Sequence, residues 1–118
     1  MITLKKALKL CEEMWYWLVA HPDKEKYDWP GFEIYGEATN ACWMCQYTLP
    51  RCAAREWVTY SFADCSQLCP LKDLWGNNGC ASPDSPYNKY SESKLDLERT
   101  KYALKIANYC TKLLKEEE

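Results

Sequence analysis

Six of the eight cysteines in this 118-residue chain fall between Asn40 and Cys80. They come as Cys42-Trp43-Met44-Cys45, a separate Cys52, Cys65-Ser66-Gln67-Leu68-Cys69 and a closing Cys80. Two close thiol pairs about twenty residues apart are what a tetrahedral zinc site draws on. Each pair offers two ligands from one tight turn, and the metal closes the loop between them. Cys42 and Cys45 are the first ligand pair, and Cys69 is the third ligand. The fourth is Cys65 or Cys80, because the Cys65–Cys69 spacing is one residue longer than the usual knuckle. Cys52 reads as a small core hydrophobe. The alternative chemistry of Cys-x-x-Cys is thioredoxin-type redox, which places the motif at a helix N-terminus in a strand–helix context. No βαβ pattern surrounds Cys42–Cys45, and a second cysteine pair follows, so metal is preferred.

A site of four thiolates is closed and lacks the open position that catalysis by zinc requires. The chain holds no P-loop, no G-x-G-x-x-G, no H-E-x-x-H and no G-x-S-x-G. Its one histidine, His21, precedes Pro22 at the end of an apolar-periodic segment, where it suits a helix C-terminus. His21-Pro22-Asp23 also lacks the Glu of the zinc-deaminase H-x-E signature. No catalytic residue is assigned, and the chain reads as a non-enzymatic protein with a structural zinc ion.

The length sets one domain, residues 1–118, with a modest core. No stretch approaches the roughly twenty apolar residues of a membrane span. Met1-Ile2-Thr3-Leu4-Lys5-Lys6 is not a signal peptide, since Lys9, Glu12 and Glu13 break any apolar run behind it. A reducing cytoplasm is therefore expected, where cysteines are thiols or metal ligands. The rival is a secreted scaffold of disulfides, which the even cysteine count allows. Net charge is −2, and between residues 41 and 80 Arg51, Arg55 and Lys72 balance Glu56, Asp64 and Asp73. A nucleic-acid backbone calls for a basic stripe, so the cysteine segment suits protein contact better.

The elements that must position these thiols are two amphipathic helices, packed together around a zinc module at about 38–82. The fold class is mainly α with a small zinc-knuckle and short β insert. Thr3 is a plausible N-cap for a helix over about 4–20, with Leu4, Leu8, Cys11, Trp15 and Leu18 on its inner stripe. From Lys24 to Gly36 the chain reads as a loop laying Tyr27, Trp29 and Tyr35 on the helices, with at least two of them buried and a short strand at Phe32–Tyr35. Pro50 to Trp57 reads as a short helix, and Trp57 to Phe62 as a strand. Ser82–Pro86 is turn and loop. Ser93-Lys94-Leu95-Asp96 has capping-box form and opens a last helix over about 93–115. Its apolar face comprises Leu95, Tyr102, Ile106, Tyr109 or Cys110, and Leu113. Cys11 and Cys110 are packed core thiols rather than a bridge.

The cysteine segment resembles a loose group of small bacteriophage proteins with the pattern C-x-x-C-x-[YF], a second pair followed by Pro, Trp-Gly, Cys and Ser-Pro-Tyr. The matching positions are Cys42, Cys45 and Tyr47; Cys65, Cys69 and Pro70; Trp75 and Gly76; Cys80; and Ser85-Pro86-Tyr87. Two departures are the C-x3-C second pair and the long insert that carries Cys52. The resemblance covers roughly residues 40–90. It implies a phage accessory protein in the cytoplasm of a bacterial host, where such proteins bind and inhibit host factors, defence enzymes among them. On this reading the module holds Trp43, Met44, Tyr47 and Trp75 rigidly for a host protein, as an inhibitor or adaptor. Rigid aromatics bind at low entropic cost. The alternative is single-stranded nucleic-acid or nucleotide binding by aromatic stacking, which six Trp and nine Tyr could support. The alternative for Trp43, Met44, Tyr47 and Trp75 is simple packing of the module onto the helices.

Overall fold

A computed structural model of the chain describes residues 2–38, 42–53 (side chains to 48), 69–75, 83 and 85–117. Among these residues every regular element is helical: α1 (Leu4–Ala20), a 3-10 turn (Lys26–Asp28), α2 (Gly31–Tyr35), α3 (Trp43–Ala53), α4 (Lys72–Trp75), α5 (Pro86–Glu92) and α6 (Asp96–Glu116). The strand expected at Trp57–Phe62 lies outside the described residues. No described helix is long and apolar enough to cross a membrane.

Thr3 opens α1 as the sequence indicates, its Oγ1 accepting the Lys6 N–H at 3.2 Å. Isolated helices of this length are marginal in water, so tertiary packing must hold it. Leu8, Cys11, Met14, Trp15 and Leu18 are buried on one side, with Ala7 and Leu10 widening the stripe. Each large side chain so buried contributes roughly 1.5–3 kcal/mol. At the far end Pro22 cannot continue the ladder. There His21 stacks on Trp17 at 4.3 Å and its Nδ1 lies 2.8 Å from the Trp17 carbonyl, a packing role.

α1 and α6 run antiparallel. Tyr16 donates to Asn108 Oδ1 at 2.8 Å, and Thr111 donates to Glu12 one turn away. At the other end Thr100 donates to the Val19 carbonyl at 3.3 Å. Between them Ala103 and Ala107 on α6, both fully buried, keep the seam free of bulk. Trp15 extends the core sideways, meeting Tyr90 and Tyr87 edge-on at 5.0 and 6.1 Å and so tying α5 to α1.

Several local readings change. Phe32–Tyr35 is helical, part of α2, because Pro30 enters at φ −61°, ψ −22° and starts the turn. Gly31 is required there, since a Cβ would fall on the Trp29 ring, and Gly36 at φ 86° stops the helix. Of the three aromatics in this segment only Trp29 is buried; Tyr27 and Tyr35 are exposed. Ser85-Pro86 opens a helix rather than a loop: Ser85 Oγ accepts the Asn88 N–H at 3.1 Å, and Pro86 takes the first helical position. That helix absorbs the chain up to Glu92, so Ser93 closes α5, its N–H meeting the Lys89 carbonyl, instead of opening α6. α6 begins at Asp96, and Leu95 stands exposed beside it.

Arg99 takes the inner position that Leu95 does not fill. Only 8% exposed, it donates from Nε to the Pro22 carbonyl (2.8 Å) and from Nη2 to Lys24 O (2.9 Å) and Tyr90 Oη (2.9 Å). Its pair with Glu25 at 3.1 Å adds little, because Glu25 is mostly exposed. One planar guanidinium thus holds the turn after α1 and the tip of α5 together. Arg99→Lys keeps the charge but loses the fork, so one ammonium cannot serve the Pro22 carbonyl, the Lys24 carbonyl and Tyr90 Oη together. We expect a loss of about 2–4 kcal/mol in denaturant unfolding; an unchanged midpoint would remove the clamp role.

Candidate thiol centre

Cys42 stands immediately before α3, and its carbonyl accepts the Gln46 N–H at 3.0 Å. Cys45 lies in the first turn. Cys42-Trp43-Met44-Cys45 therefore sits at a helix N-terminus, where the expected knuckle turn is replaced by helix that continues through Pro50. A proline in a helix interior removes one ladder bond and costs about 3 kcal/mol. Burial of the Trp43 and Met44 side chains opposes that cost.

The Cys42 sulfur gathers donors. The Cys45 side chain hydrogen-bonds to it first and most strongly; burial opposes; the Lys26 ammonium and the N–H groups of Cys45 and Met44 then favour the thiolate. Its pKa falls to about 6. Lys26 answers in kind: burial pulls its pKa down, but the charges of Cys42 and Tyr87 and a Tyr87 hydrogen bond leave it raised. Its Nζ lies 4.4 Å from the Tyr87 ring centroid. Lys26 had no signal in the sequence, because only the fold brings it to Cys42.

Two further thiols come from the helical frame. Cys11 on α1 and Cys110 on α6 are buried, as their place on the inner stripes indicates, and they hydrogen-bond to each other. That bond, then burial, then the charges of Cys110, Cys42 and Cys69 hold the Cys11 pKa well above its ordinary value. Cys69, half-buried, lies at the turn into α4, where its carbonyl accepts the Lys72 N–H at 2.9 Å. Five cysteines from separate stretches therefore share one neighbourhood. Among the described residues, no three Cys, His, Asp or Glu side chains converge with metal-binding geometry. Cys65 and Cys80, and the side chain of Cys52, lie outside the described residues. Cys42 and Cys45 fit the thiolate half of a zinc site: both point from one turn, and amide N–H groups already meet the Cys42 sulfur.

The aromatic residues around the pair face inward. Trp43 is 4% exposed, with its ring edge-on to Trp29 at 6.2 Å and tilted to Phe32 at 5.9 Å. Met44 is 1% and Trp75 5% exposed, and Trp75 meets Tyr87 edge-on at 6.3 Å. Tyr47 is half-buried. Trp43, Met44 and Trp75 thus pack the cysteine segment onto the helical frame, which corrects their assignment to an outward contact surface. The hydrophobic effect decides this: an indole or thioether beside a core gains more by entering it than by facing water.

Where the reduced chain holds this fold without metal, as the redox reading of Cys42–Cys45 requires, Cys42 is expected to alkylate at neutral pH with a rate that is half-maximal near pH 6. Cys11 and Cys110 should stay unmodified until unfolding. Between about pH 6 and the ordinary thiol range the unfolded chain holds the Cys42 proton and the folded chain does not. Stability should therefore rise with pH across that window and be lost as pH falls through 6. Equal alkylation rates at all thiols would contradict this, and peptide mapping of the alkylated protein reads them out.

Comparison with protein-family models, with curated proteins and with solved structures returns no match.

Proposed function

We propose that the protein is a zinc-stapled, non-enzymatic interaction protein, in which Cys42 and Cys45 are two of four thiolate ligands. Cys69 is the third, and Cys65 or Cys80 the fourth. The observation that carries the reading is the pair itself: two sulfurs presented from the first turn of α3, with Cys42 favoured as thiolate at neutral pH. Zinc supplies no reaction there; it fixes the cysteine segment onto the α1–α6 frame. The biological reading, an inhibitor or adaptor of a host protein encoded by a phage, rests on the resemblance of the cysteine pattern. With Trp43, Met44 and Trp75 committed to the core, the contact residues of that reading become Tyr27 and Ile34, each 75% exposed, together with exposed Tyr35 and half-buried Tyr47.

The test is elemental analysis of untagged, reduced protein with thiols counted before and after chelation. The expected result is one zinc per chain, with about four thiols reactive only after the metal leaves. Metal-free protein whose thiols all react at once would sink the zinc reading.

One observation favours a second reading, a dithiol–disulfide couple. Cys42 occupies the helix N-terminus that such couples use, with Cys45 hydrogen-bonded to it. A reversible Cys42–Cys45 disulfide at physiological potentials, with no metal, would support it. The base-stacking alternative has less to draw on, since Trp15, Trp29, Trp43 and Trp75 are all buried.

A further inference from the structure

We propose that Cys11 and Cys110 form a latent disulfide that clamps α1 to α6 when the protein meets a small-molecule disulfide. Both side chains are fully buried on the inner stripes of α1 and α6. They belong to the same layer as Glu12 and Thr111, whose hydrogen bond fixes the register of the two helices at that point.

The chemistry is thiol–disulfide exchange. One of the two cysteines, as thiolate, attacks a sulfur of the small disulfide, forms a mixed disulfide and releases one small thiol. The other loses its proton and attacks the protein sulfur of that mixed disulfide, forming Cys11–Cys110 and expelling the second small thiol. Two electrons pass from the cysteine pair to the oxidant, which leaves as two thiols. Burial shields both sulfurs in the folded protein, so the reaction waits for transient opening of the seam and runs slower than oxidation of the half-exposed Cys42. The clamp closes a loop of about 100 residues, so it constrains the unfolded chain strongly. The proposal does not depend on the zinc reading, because neither cysteine is among the proposed ligands.

The test uses the full chain, as purified and after chelation, incubated with oxidised glutathione and quenched by alkylation before non-reducing peptide mapping. The expected product is a linked pair of peptides carrying Cys11 and Cys110, appearing later than any modification of Cys42. Its appearance should raise the thermal midpoint by roughly 10 °C or more, and the rise should be absent in Cys110→Ala. The proposal is overturned if Cys11 and Cys110 are both recovered as alkylated thiols after Cys42 is fully oxidised and the protein has been cycled through partial melting. A linked pair with no rise in midpoint overturns the clamp. If Cys110→Ala does not fold, mapping and melting of the unsubstituted chain still decide.

Discussion

Chelation of the reduced protein is expected to detach α3 and the cysteine segment from the helical frame and to lower stability by on the order of 10 kcal/mol. That is comparable with the whole stability of a domain this size. The physical reason lies in α3 itself. It spans Trp43–Ala53, too short to persist alone, and its interior carries Pro50, which removes a ladder bond. Two of the four proposed ligands stand at its N-terminus, Cys42 just before the first turn and Cys45 within it, so the metal anchors the one end whose backbone geometry the site depends on. Trp43 and Met44 would then leave the core with it, exposing the faces of Trp29 and Phe32 that they cover. The measurement is thermal melting followed by far-ultraviolet circular dichroism and tryptophan emission, with and without chelator. A red-shifted emission and a much lower midpoint are expected. An unchanged melt in protein shown to have lost its zinc would mean that packing alone holds α3.

Trp15→Ala is expected to cost about 3–5 kcal/mol, the range for deleting a buried aromatic side chain. Trp15 is 3% exposed and is the contact through which α5 reaches α1. Its loss leaves a cavity bounded by Tyr87 and Tyr90, and the second of these also holds Arg99. The cavity and the clamp are therefore coupled, and the Trp15→Ala and Arg99→Lys losses should not add. Urea unfolding of the two single variants and the double variant measures the coupling. Trp15→Phe should recover much of the loss, because it retains an aromatic edge for Tyr90. Additive losses would show that the two positions act independently.

The sequence by itself determined the parts whose cause is local. Thr3 caps α1 because its hydroxyl meets an N–H three residues on, and the apolar spacing behind it names Leu8, Cys11, Trp15 and Leu18 as core. Cys110 is legible in the same way, from its place on the α6 stripe. The Ser85-Pro86 start of α5 was written in the sequence too, as a cap residue followed by proline, although a cluster of turn formers masks it.

Tertiary structure decided what local pattern could not. Hydrophobic spacing cannot say which of two candidate positions faces a carbonyl-rich turn, so Arg99 enters the interior and Leu95 stays outside. Cys-x-x-Cys has the same spacing in a knuckle turn and in the first turn of a helix. Only the fold places Cys42 at a helix N-terminus, beside a lysine sixteen positions earlier in the chain. Aromatic content likewise does not say which way a ring points. Trp43 and Trp75 were drawn inward by Trp29, Phe32 and Tyr87, while Tyr27 was left in water. The meeting of Cys11 with Cys110, from opposite ends of the chain, follows from the antiparallel register of α1 and α6. That register is set by paired side chains such as Glu12 with Thr111 and Tyr16 with Asn108, and no spacing within either helix encodes it.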